Sequence, residues 1–215
     1  MKNQQIFEFD EFEKNSNRNL FNSGYNFIIG TDEAGRGPGA GGVYAAAVCF
    51  LNKNLSEILP ELNDSKKLTE KKREELFPII KENSIYSIKM VEVDVIEKIN
   101  ILNASLFAMK MAVEDVIQQL KDENILVLID GNRKIKDFKY SQKTIIKGDS
   151  TSASIAAASI LAKVSRDNYM LELDKKFPEY EFKKNKGYLT KSHIEAIKKF
   201  GITEIHRKSF LKNII

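Results

Sequence analysis

The 215-residue sequence contains a single cysteine, Cys49, which lies in the apolar run Val43–Leu51. One cysteine excludes an intramolecular disulfide, and a cysteine-based zinc site would need several. We therefore interpret Cys49 as a small buried hydrophobic residue. Such sparse use of cysteine is typical of proteins in a reducing compartment, so we expect a cytoplasmic location.

Long apolar runs are also absent from the sequence. No stretch approaches the ~20 apolar residues of a membrane-spanning helix, and the polar, acidic N-terminus lacks the apolar core of a secretory signal. We therefore expect no membrane association. Hydrophobic residues make up 42% and charged residues 30% of the chain, which predicts one globular domain, or one domain with a small appendage, under a well-solvated surface.

The formal net charge of +4 is distributed unevenly along the chain. Residues 1–130 carry 15 Lys and Arg against 21 Asp and Glu, whereas residues 131–215 carry 19 against 9. A basic half favours a polyanionic partner such as a nucleic acid. A lysine-rich solvated surface explains the same numbers equally well, so the charge alone leaves both interpretations open.

Apolar periodicity predicts alternating strands and helices, and with them an α/β domain with a mostly helical C-terminal part. The predicted strands are Tyr25–Gly30, Val43–Leu51, Ile85–Val93, Ile125–Ile129 and Thr144–Lys147. The predicted helices are Thr69–Lys81, Ala104–Leu120, Ser150–Lys176 and Thr190–Phe200. A glycine-rich loop joins the first two strands, which favours an antiparallel pair. The wholly apolar fourth strand is typical of one covered on both faces.

Acidic residues follow three of the predicted strands. Asp32 and Glu33 come after the first strand, Asp130 after the fourth and Asp149 after the fifth. Carboxylates at the ends of neighbouring strands can converge at one sheet edge, where they repel one another unless a cation neutralises them. Hard divalent ions such as Mg²⁺ prefer oxygen ligands, and two of them about 4 Å apart can promote phosphodiester cleavage. Taken singly, Asp130 also fits a turn and Asp149 a helix cap.

Asp32 and Glu33 are adjacent, so on a regular strand their side chains would point to opposite faces. Either the strand breaks at this point, or the two residues act differently. We expect Asp32 to be the shared metal ligand and Glu33 to contribute partly through its backbone carbonyl.

The exact residue strings are more specific than this pattern. The segment Thr31–Pro38 (TDEAGRGP) resembles the signature of the type 2 ribonucleases H, the ribonuclease HII family. The likeness continues in family order almost to the end of the chain, in the segments Asn63–Leu68, Ile129–Arg133, Lys147–Ser150, Ala157–Val164, Arg166–Asp167, Lys186–Tyr188 and His206–Phe210.

The resemblance implies a ribonuclease H-like fold: a central mixed sheet flanked by helices, with a helical C-terminal part. On this basis residues 1–24 are an N-terminal arm, residues 25–176 the catalytic domain, and residues 177–215 a basic helical part packed on it. The implied activity is endonucleolytic cleavage of the RNA strand of RNA–DNA hybrids, and cleavage 5′ of single ribonucleotides embedded in duplex DNA. The products would carry a 3′-hydroxyl and a 5′-phosphate.

The resemblance also implies roles for individual residues. The four catalytic acids and metal ligands would be Asp32, Glu33, Asp130 and Asp149, with Mg²⁺ or Mn²⁺ as the cofactor. One ion would help to deprotonate the attacking water, and the other would stabilise the leaving 3′-oxygen.

The sugar at the RNA–DNA junction would be read by Gly35, Arg36, Gly37 and Tyr188. Glycines allow close approach of the backbone, the 2′-hydroxyl distinguishes RNA from DNA, and the tyrosine ring can stack on the neighbouring deoxyribose. A core aromatic is the alternative for Tyr188.

Basic residues of the matching segments are candidate phosphate contacts, each with a solvated surface position as the alternative: Lys66, Lys67, Lys147, Lys186 and Arg207. We interpret His193 as structural and His206 as a residue that could contact nucleic acid. Asp167 is interpreted as a supporting acid or a salt-bridge partner.

The sequence departs from the family pattern at Gly39 and Gly42, where leucine and proline are usual, and we expect these glycines to loosen the loop. Two rival functions remain: a non-catalytic hybrid-binding protein on this scaffold, and a two-metal nuclease for another nucleic acid. The tail SFLKNII leaves a sliding-clamp contact open without indicating one. We expect a monomer.

Overall fold

The computed structural model describes residues 25–50, 62, 68–212 and 214. The predicted N-terminal arm lies outside the described residues, as do two of the candidate phosphate contacts, Lys66 and Lys67.

Five strands form one mixed sheet: β1 Phe27–Ala34, β2 Val43–Phe50, β3 Ser84–Val91, β4 Ile125–Asp130 and β5 Ser141–Ile145. Their order across the sheet is β3-β2-β1-β4-β5. The pairs β1–β2 and β2–β3 are antiparallel, whereas β1–β4 and β4–β5 are parallel. The predicted antiparallel pairing of the first two strands is confirmed.

The helices are α1 Glu70–Glu82, α2 Val93–Ile99, α3 Ile101–Leu120, α4 Ala153–Lys176, the single turn α5 Phe182–Asn185 and α6 Lys191–Phe200. Thr69 and Thr190 cap α1 and α6 through their hydroxyl groups, as Ser152 caps α4. The alternative of Asp149 as the α4 cap is therefore wrong. In the described ranges, no helix has both the length and the apolar character needed to cross a membrane.

Helices cover both faces of the sheet, as the sequence predicted. Buried residues of α3 pack on one face with Val127, Ala45 and Cys49, while α4 and α1 pack on the other face with Ala46 and Val48. Every residue of β4 before Asp130 is buried, as expected for a strand covered on both sides. Cys49 is a buried free thiol.

Helix α4 lies directly against β1 because both elements carry small residues at their contact. A Cβ atom on Gly30 would stand 2.3 Å from the carbonyl carbon of Ser154 and 2.4 Å from the backbone nitrogen of Ile155. No side chain fits in that space, so glycine sets the distance between strand and helix. This contact places the start of α4 beside the middle of β1.

The C-terminal part builds a separate apolar cluster on the end of α4. Met170 and Leu173 of α4 contact Tyr180, Phe182 and other buried residues of this part, and the same cluster includes Ala40 from the loop between β1 and β2. Residues 177–212 are thereby attached both to α4 and to that loop.

The glycines at 39 and 42 do not loosen the loop, which corrects the expectation from sequence. Both are buried. A Cβ atom on Gly39 would meet Leu189 at 2.6 Å, and one on Gly42 would meet the carbonyl oxygen of Val91 at 2.8 Å. The missing side chains let neighbouring elements pack directly on the loop, so these glycines tighten it.

Replacing Gly30 by alanine tests the close contact between β1 and α4. We expect the variant to lose about 1–3 kcal/mol of stability, the usual cost of overpacking a core. Thermal unfolding should therefore shift down by roughly 2–4 °C per kcal/mol. The control is Gly201→Ala, where nothing lies within 4 Å and only the φ of +84° is unfavourable. An equal, small loss in both variants would contradict the packing argument.

Candidate active site

The four predicted acids lie at one edge of the sheet. Strands β1, β4 and β5 are parallel neighbours, so their carboxyl ends meet at that edge. Asp130 is the last residue of β4, and Asp149 lies in a 3-10 turn, Gly148–Ser150, just after β5. The amide of Gly148 donates to Oδ1 of Asp130 at 2.6 Å, which ties the end of β5 to the end of β4.

Asp32 and Glu33 lie within β1 rather than after it, because the strand continues to Ala34. Asp32 pairs with Ala46 and Glu33 with Ala45. The strand does not break at the acids, so the pair projects to opposite faces, as a regular strand requires.

Each of these two acids therefore has its own surroundings. Asp32 is 3% exposed on the α4 side, where the hydroxyl of Ser159 hydrogen-bonds to its carboxylate. Glu33 faces a cleft of about 240 Å³ that Asp130, Arg133 and residues of α3 also line. The acids thus occupy both sides of the sheet edge.

Burial and mutual repulsion raise the pKa values of the paired acids. Desolvation raises the pKa of Asp32 well above its usual range, and the charges of Glu33 and Asp130 raise it further. Desolvation also raises the pKa of Glu33, while Arg36 opposes this through an ion pair of 3.1 Å. The site therefore concentrates negative charge where water stabilises it poorly, and a bound cation would relieve this.

The donor set suits a hard divalent cation, because it consists of carboxylate oxygens. As the side chains stand, however, no three acidic, histidine or cysteine side chains among the described residues are grouped closely enough to hold one ion. Glu33 is turned towards Arg36, and Asp130 accepts the Gly148 amide. The chemistry of the site fits a metal. Asp130 accepts the amide through Oδ1 and keeps Oδ2 for an ion, whereas Glu33 would have to turn from Arg36 to join a ligand set.

The predicted sugar-reading residues lie next to one another. A Cβ atom on Gly37 would stand 3.3 Å from Cε1 of Tyr188, so the tyrosine ring packs at the glycine. Tyr188 is 51% exposed, which removes the core-aromatic alternative. Gly35 has a φ of +100°, a conformation that favours glycine.

The basic candidates fall into different environments. Lys147 is exposed, whereas Lys186 is half-buried, with Nζ 3.4 Å from Oε1 of Glu70. Asp167 is buried and forms an ion pair of 2.6 Å with Lys163, in line with the salt-bridge interpretation. Among these residues Lys147 is the best placed to contact a phosphate.

Arg207 is not a surface cation, which corrects its assignment as a phosphate contact. Its side chain is 0% exposed, and its guanidinium donates to the carbonyl oxygens of Gly35, Arg36 and Gly41. Burial lowers the pKa of Arg207 to about 9. Arg166 is buried as well, and it donates to the carbonyl of Ala40. The sequence reasoning placed Arg166 in a family-like segment but gave it no role, because nothing local marks an arginine as buried.

His206 is also buried, at 2% exposure, so its assignment to nucleic-acid contact is wrong in this structure. Thr203 N–H donates to its Nδ1 at 3.0 Å, and its Nε2 lies 3.1 Å from Nε2 of His193. His206 therefore donates through Nε2–H, and His193 donates its Nδ1–H to the carbonyl of Tyr188 at 2.9 Å. This chain of neutral histidines holds the backbone of Tyr188, and the structural interpretation of His193 is in line with it.

Solved structures with the same fold define the class of protein. An Archaeoglobus fulgidus ribonuclease HII in complex with PCNA superposes with a TM-score of 0.68 at 25% identity, over 84% of this chain and 93% of that one. Bst-RNase HIII in complex with Mn²⁺ superposes with a TM-score of 0.71 over 87% of this chain and 68% of that one, and its 18% identity shows the fold alone. The protein has the ribonuclease H-like fold of ribonucleases HII and HIII, a mixed five-stranded sheet with flanking helices, and belongs to the class of metal-dependent endoribonucleases.

Sequence comparison makes the assignment specific. The family model for ribonuclease HII matches residues 29–213. A ribonuclease HII of Caldicellulosiruptor bescii is 53% identical over 215 residues, covering 100% of this chain and 97% of that protein. The chain belongs to the ribonuclease HII family, and the family resemblance seen in the sequence is confirmed.

Replacing Asp32 by asparagine should stabilise the metal-free protein while weakening metal binding. The change removes a carboxylate whose ionised form is desolvated and repelled by its neighbours. We expect unfolding in EDTA to shift up by a few degrees, and Mn²⁺ to stabilise the variant less than the wild type. Asp137→Asn, at an exposed acid, is the matched control. A lower unfolding temperature for Asp32→Asn in EDTA would contradict the repulsion argument.

The buried histidine pair should make the protein sensitive to acid. The folded pKa of His206 is lowered to about 4 from an ordinary 6.5, mainly by desolvation, so the unfolded chain binds the proton first. The contribution of His206 to the free energy of unfolding is fully present above about pH 6.5 and is lost as the pH falls towards 4. We expect His206→Gln to reduce the loss of unfolding free energy between pH 7 and 4.5, measured by urea denaturation. Equal losses in the two proteins would rule out this contribution.

Proposed function

We propose that the protein is an endoribonuclease that cuts the RNA strand of RNA–DNA hybrids and the 5′ side of single ribonucleotides embedded in duplex DNA. Its products carry a 3′-hydroxyl and a 5′-phosphate. The observation that carries the proposal is the position of the acidic sheet edge beside Gly35, Arg36, Gly37 and Tyr188. The ion pair between Glu33 and Arg36 joins the two groups directly.

Asp32, Glu33, Asp130 and Asp149 are the residues that would hold the divalent metal, Mg²⁺ or Mn²⁺. When two such ions are bound, they supply an activated water and stabilise the departing 3′-oxygen. The Gly148 amide orients the carboxylate of Asp130, and the Ser159 hydroxyl orients that of Asp32. These contacts hold two of the acids in place before a substrate arrives.

The substrate is held by residues of different kinds. The exposed ring of Tyr188 is available to stack on a sugar, and the exposed Lys147 is available to a phosphate. The backbone at Gly35 and Gly37 can approach a 2′-hydroxyl closely, because no side chain intervenes. Selection for RNA in this proposal comes from the loop and the tyrosine, while the acids act on any phosphodiester brought to them.

We propose that the protein is a monomer in the cytoplasm, where the buried Cys49 stays reduced. The Archaeoglobus fulgidus relative was solved in complex with PCNA. In this chain Leu211 is 0% exposed and Ile214 packs against the same cluster. Leu211 and Ile214 are thus engaged within the protein, which argues against their use in a clamp-binding peptide.

Cleavage of matched duplexes tests the proposed substrate. The full chain is incubated with Mg²⁺ or Mn²⁺ and three substrates: a DNA duplex with one ribonucleotide, its all-DNA twin and an RNA–DNA hybrid. We expect cutting of the hybrid and of the first duplex, on the 5′ side of the ribonucleotide, and none of the twin. Equal cutting of the twin would favour a nuclease for another substrate, and binding without cutting would favour a non-catalytic protein.

Replacing Asp130 by asparagine tests the proposed chemistry. Cleavage should fall by more than about a hundredfold, beyond the loss typical of removing an outer-shell partner of a metal. Asp137→Asn is the matched control, because that residue is exposed and, among the described residues, only its backbone carbonyl has a hydrogen-bond partner, Lys110. Undiminished cleavage by Asp130→Asn would show that the proposed metal ligands are wrong.

A further inference from the structure

The segment Gly35–Gly41, which we name the recognition loop, has no helix or strand of its own beyond one isolated bridge at Ala40. Two buried arginines from distant parts of the chain contact it, Arg166 from α4 and Arg207 from the C-terminal segment. They are 1% and 0% exposed. The shape of the loop therefore depends on side chains more than 120 residues away in sequence.

Arg207 joins the two ends of the recognition loop. Its Nη2 donates to the carbonyl oxygens of Gly35 and Gly41, at 2.7 Å each. Its Nε donates to Gly41 at 2.9 Å and its Nη1 to Arg36 at 3.2 Å. The backbone N–H of Arg207 adds a bond of 2.8 Å to the carbonyl of Gly39. One residue thus fixes four positions of the loop.

Arg166 connects the recognition loop with the segment that carries Tyr188. Its stem fills the space beside Gly35, where a Cβ atom would stand 2.1 Å from Nε of the arginine. Its Nη2 donates to Ala40 at 3.2 Å, and its Nη1 donates to Lys186 at 3.0 Å. The loop and the tyrosine segment are therefore held in one arrangement.

Holding a loop with buried arginines carries an unfavourable desolvation free energy. Burying a guanidinium among neutral carbonyls is unfavourable, and within the described residues neither arginine forms an ion pair. In return, the arginines fix the orientation of the peptide groups in the loop. The arginines draw the loop carbonyls inward, whereas the N–H groups of Arg36 and Gly37 form no hydrogen bond within the part of the chain that the structure describes. Both residues are exposed, so these donors lie in a part of the loop that a bound molecule can reach.

We propose that Arg207, supported by Arg166, is a positioning residue that fixes the recognition loop in the conformation that distinguishes ribose from deoxyribose. The inference rests on the proposed function, because it takes the sugar as the feature that the loop reads. Arg207 itself does not touch the substrate. It acts through the carbonyls of Gly35, Arg36 and Gly41, and so positions the N–H groups of Arg36 and Gly37 for an acceptor on the sugar.

The test compares binding to a duplex with one ribonucleotide and to its all-DNA twin. Arg207→Lys keeps the positive charge but loses the guanidinium fork that binds several carbonyls at once. The measurement uses the Asp130→Asn background to prevent cleavage, and the readout is the ratio of the two dissociation constants. We expect Arg207→Lys to lower this preference about tenfold and to leave affinity for the all-DNA twin unchanged. Unfolded protein would scale both affinities equally, so the ratio reports positioning alone.

Arg73→Lys is the matched control, at an arginine that donates to the carbonyl of Leu68. If Arg207→Lys does not fold, the same ratio measured for Arg166→Lys decides the question. Suppose that the Asp130→Asn protein prefers the ribonucleotide duplex. If the folded arginine variant then keeps the same preference, the inference is wrong. If the Asp130→Asn protein itself shows no preference, the proposed recognition of the sugar is wrong instead. Failure of the positioning role and failure of the proposed function therefore give different results.

Discussion

The active site depends on holding carboxylates together that repel one another in a poorly solvated place. The ionised form of Asp32 is the most strongly disfavoured, because the residue is buried and lies near the charges of Glu33 and Asp130. It cannot move away, since β1 is paired on both sides, with β2 and β4. The rigid sheet thus holds the acids together against their mutual repulsion. The close contact between Gly30 and α4 keeps β1 in position.

A second constraint acts on the loop beside the acids. A loop rich in glycine has many conformations when free, so an ordered shape must come from elsewhere. Here it comes from the C-terminal half, through Arg166 and Arg207 and through the packing of Leu189 on Gly39. Arginine suits this task better than lysine, because its rigid fork can bind several carbonyls in fixed directions. The C-terminal part is therefore a frame for the loop as well as a basic surface.

The features that follow from local patterns were predictable from the sequence, and those that follow from distant contacts were not. Periodicity predicted the long helices and the first four strands near their observed positions. It placed the fifth strand at Thr144–Lys147, whereas β5 is Ser141–Ile145, and it missed α2, whose seven residues are too few for a clear repeat. The positions of the acids followed from strand ends, although β1 runs past Asp32 and Glu33. Arg207 and His206 were misassigned, because charge and polarity suggest a surface until the tertiary contacts of a residue are known. The same holds for Gly39 and Gly42, whose effect depends on what packs against them.

In the proposed function, the two halves of the chain contribute different parts of the selectivity. Three of the four acids belong to the net-negative first half, and acids alone do not distinguish RNA from DNA. The net-positive second half contributes cations of two kinds. Lysines such as Lys147 stay exposed to solvent, whereas Arg166 and Arg207 turn inward to shape the loop. The pair Glu33–Arg36 joins the chemistry to the loop, because one partner lies among the acids and the carbonyl of the other is held by Arg207. A displacement of the loop therefore reaches the acids through this ion pair as well as through the backbone, since the loop continues directly from β1.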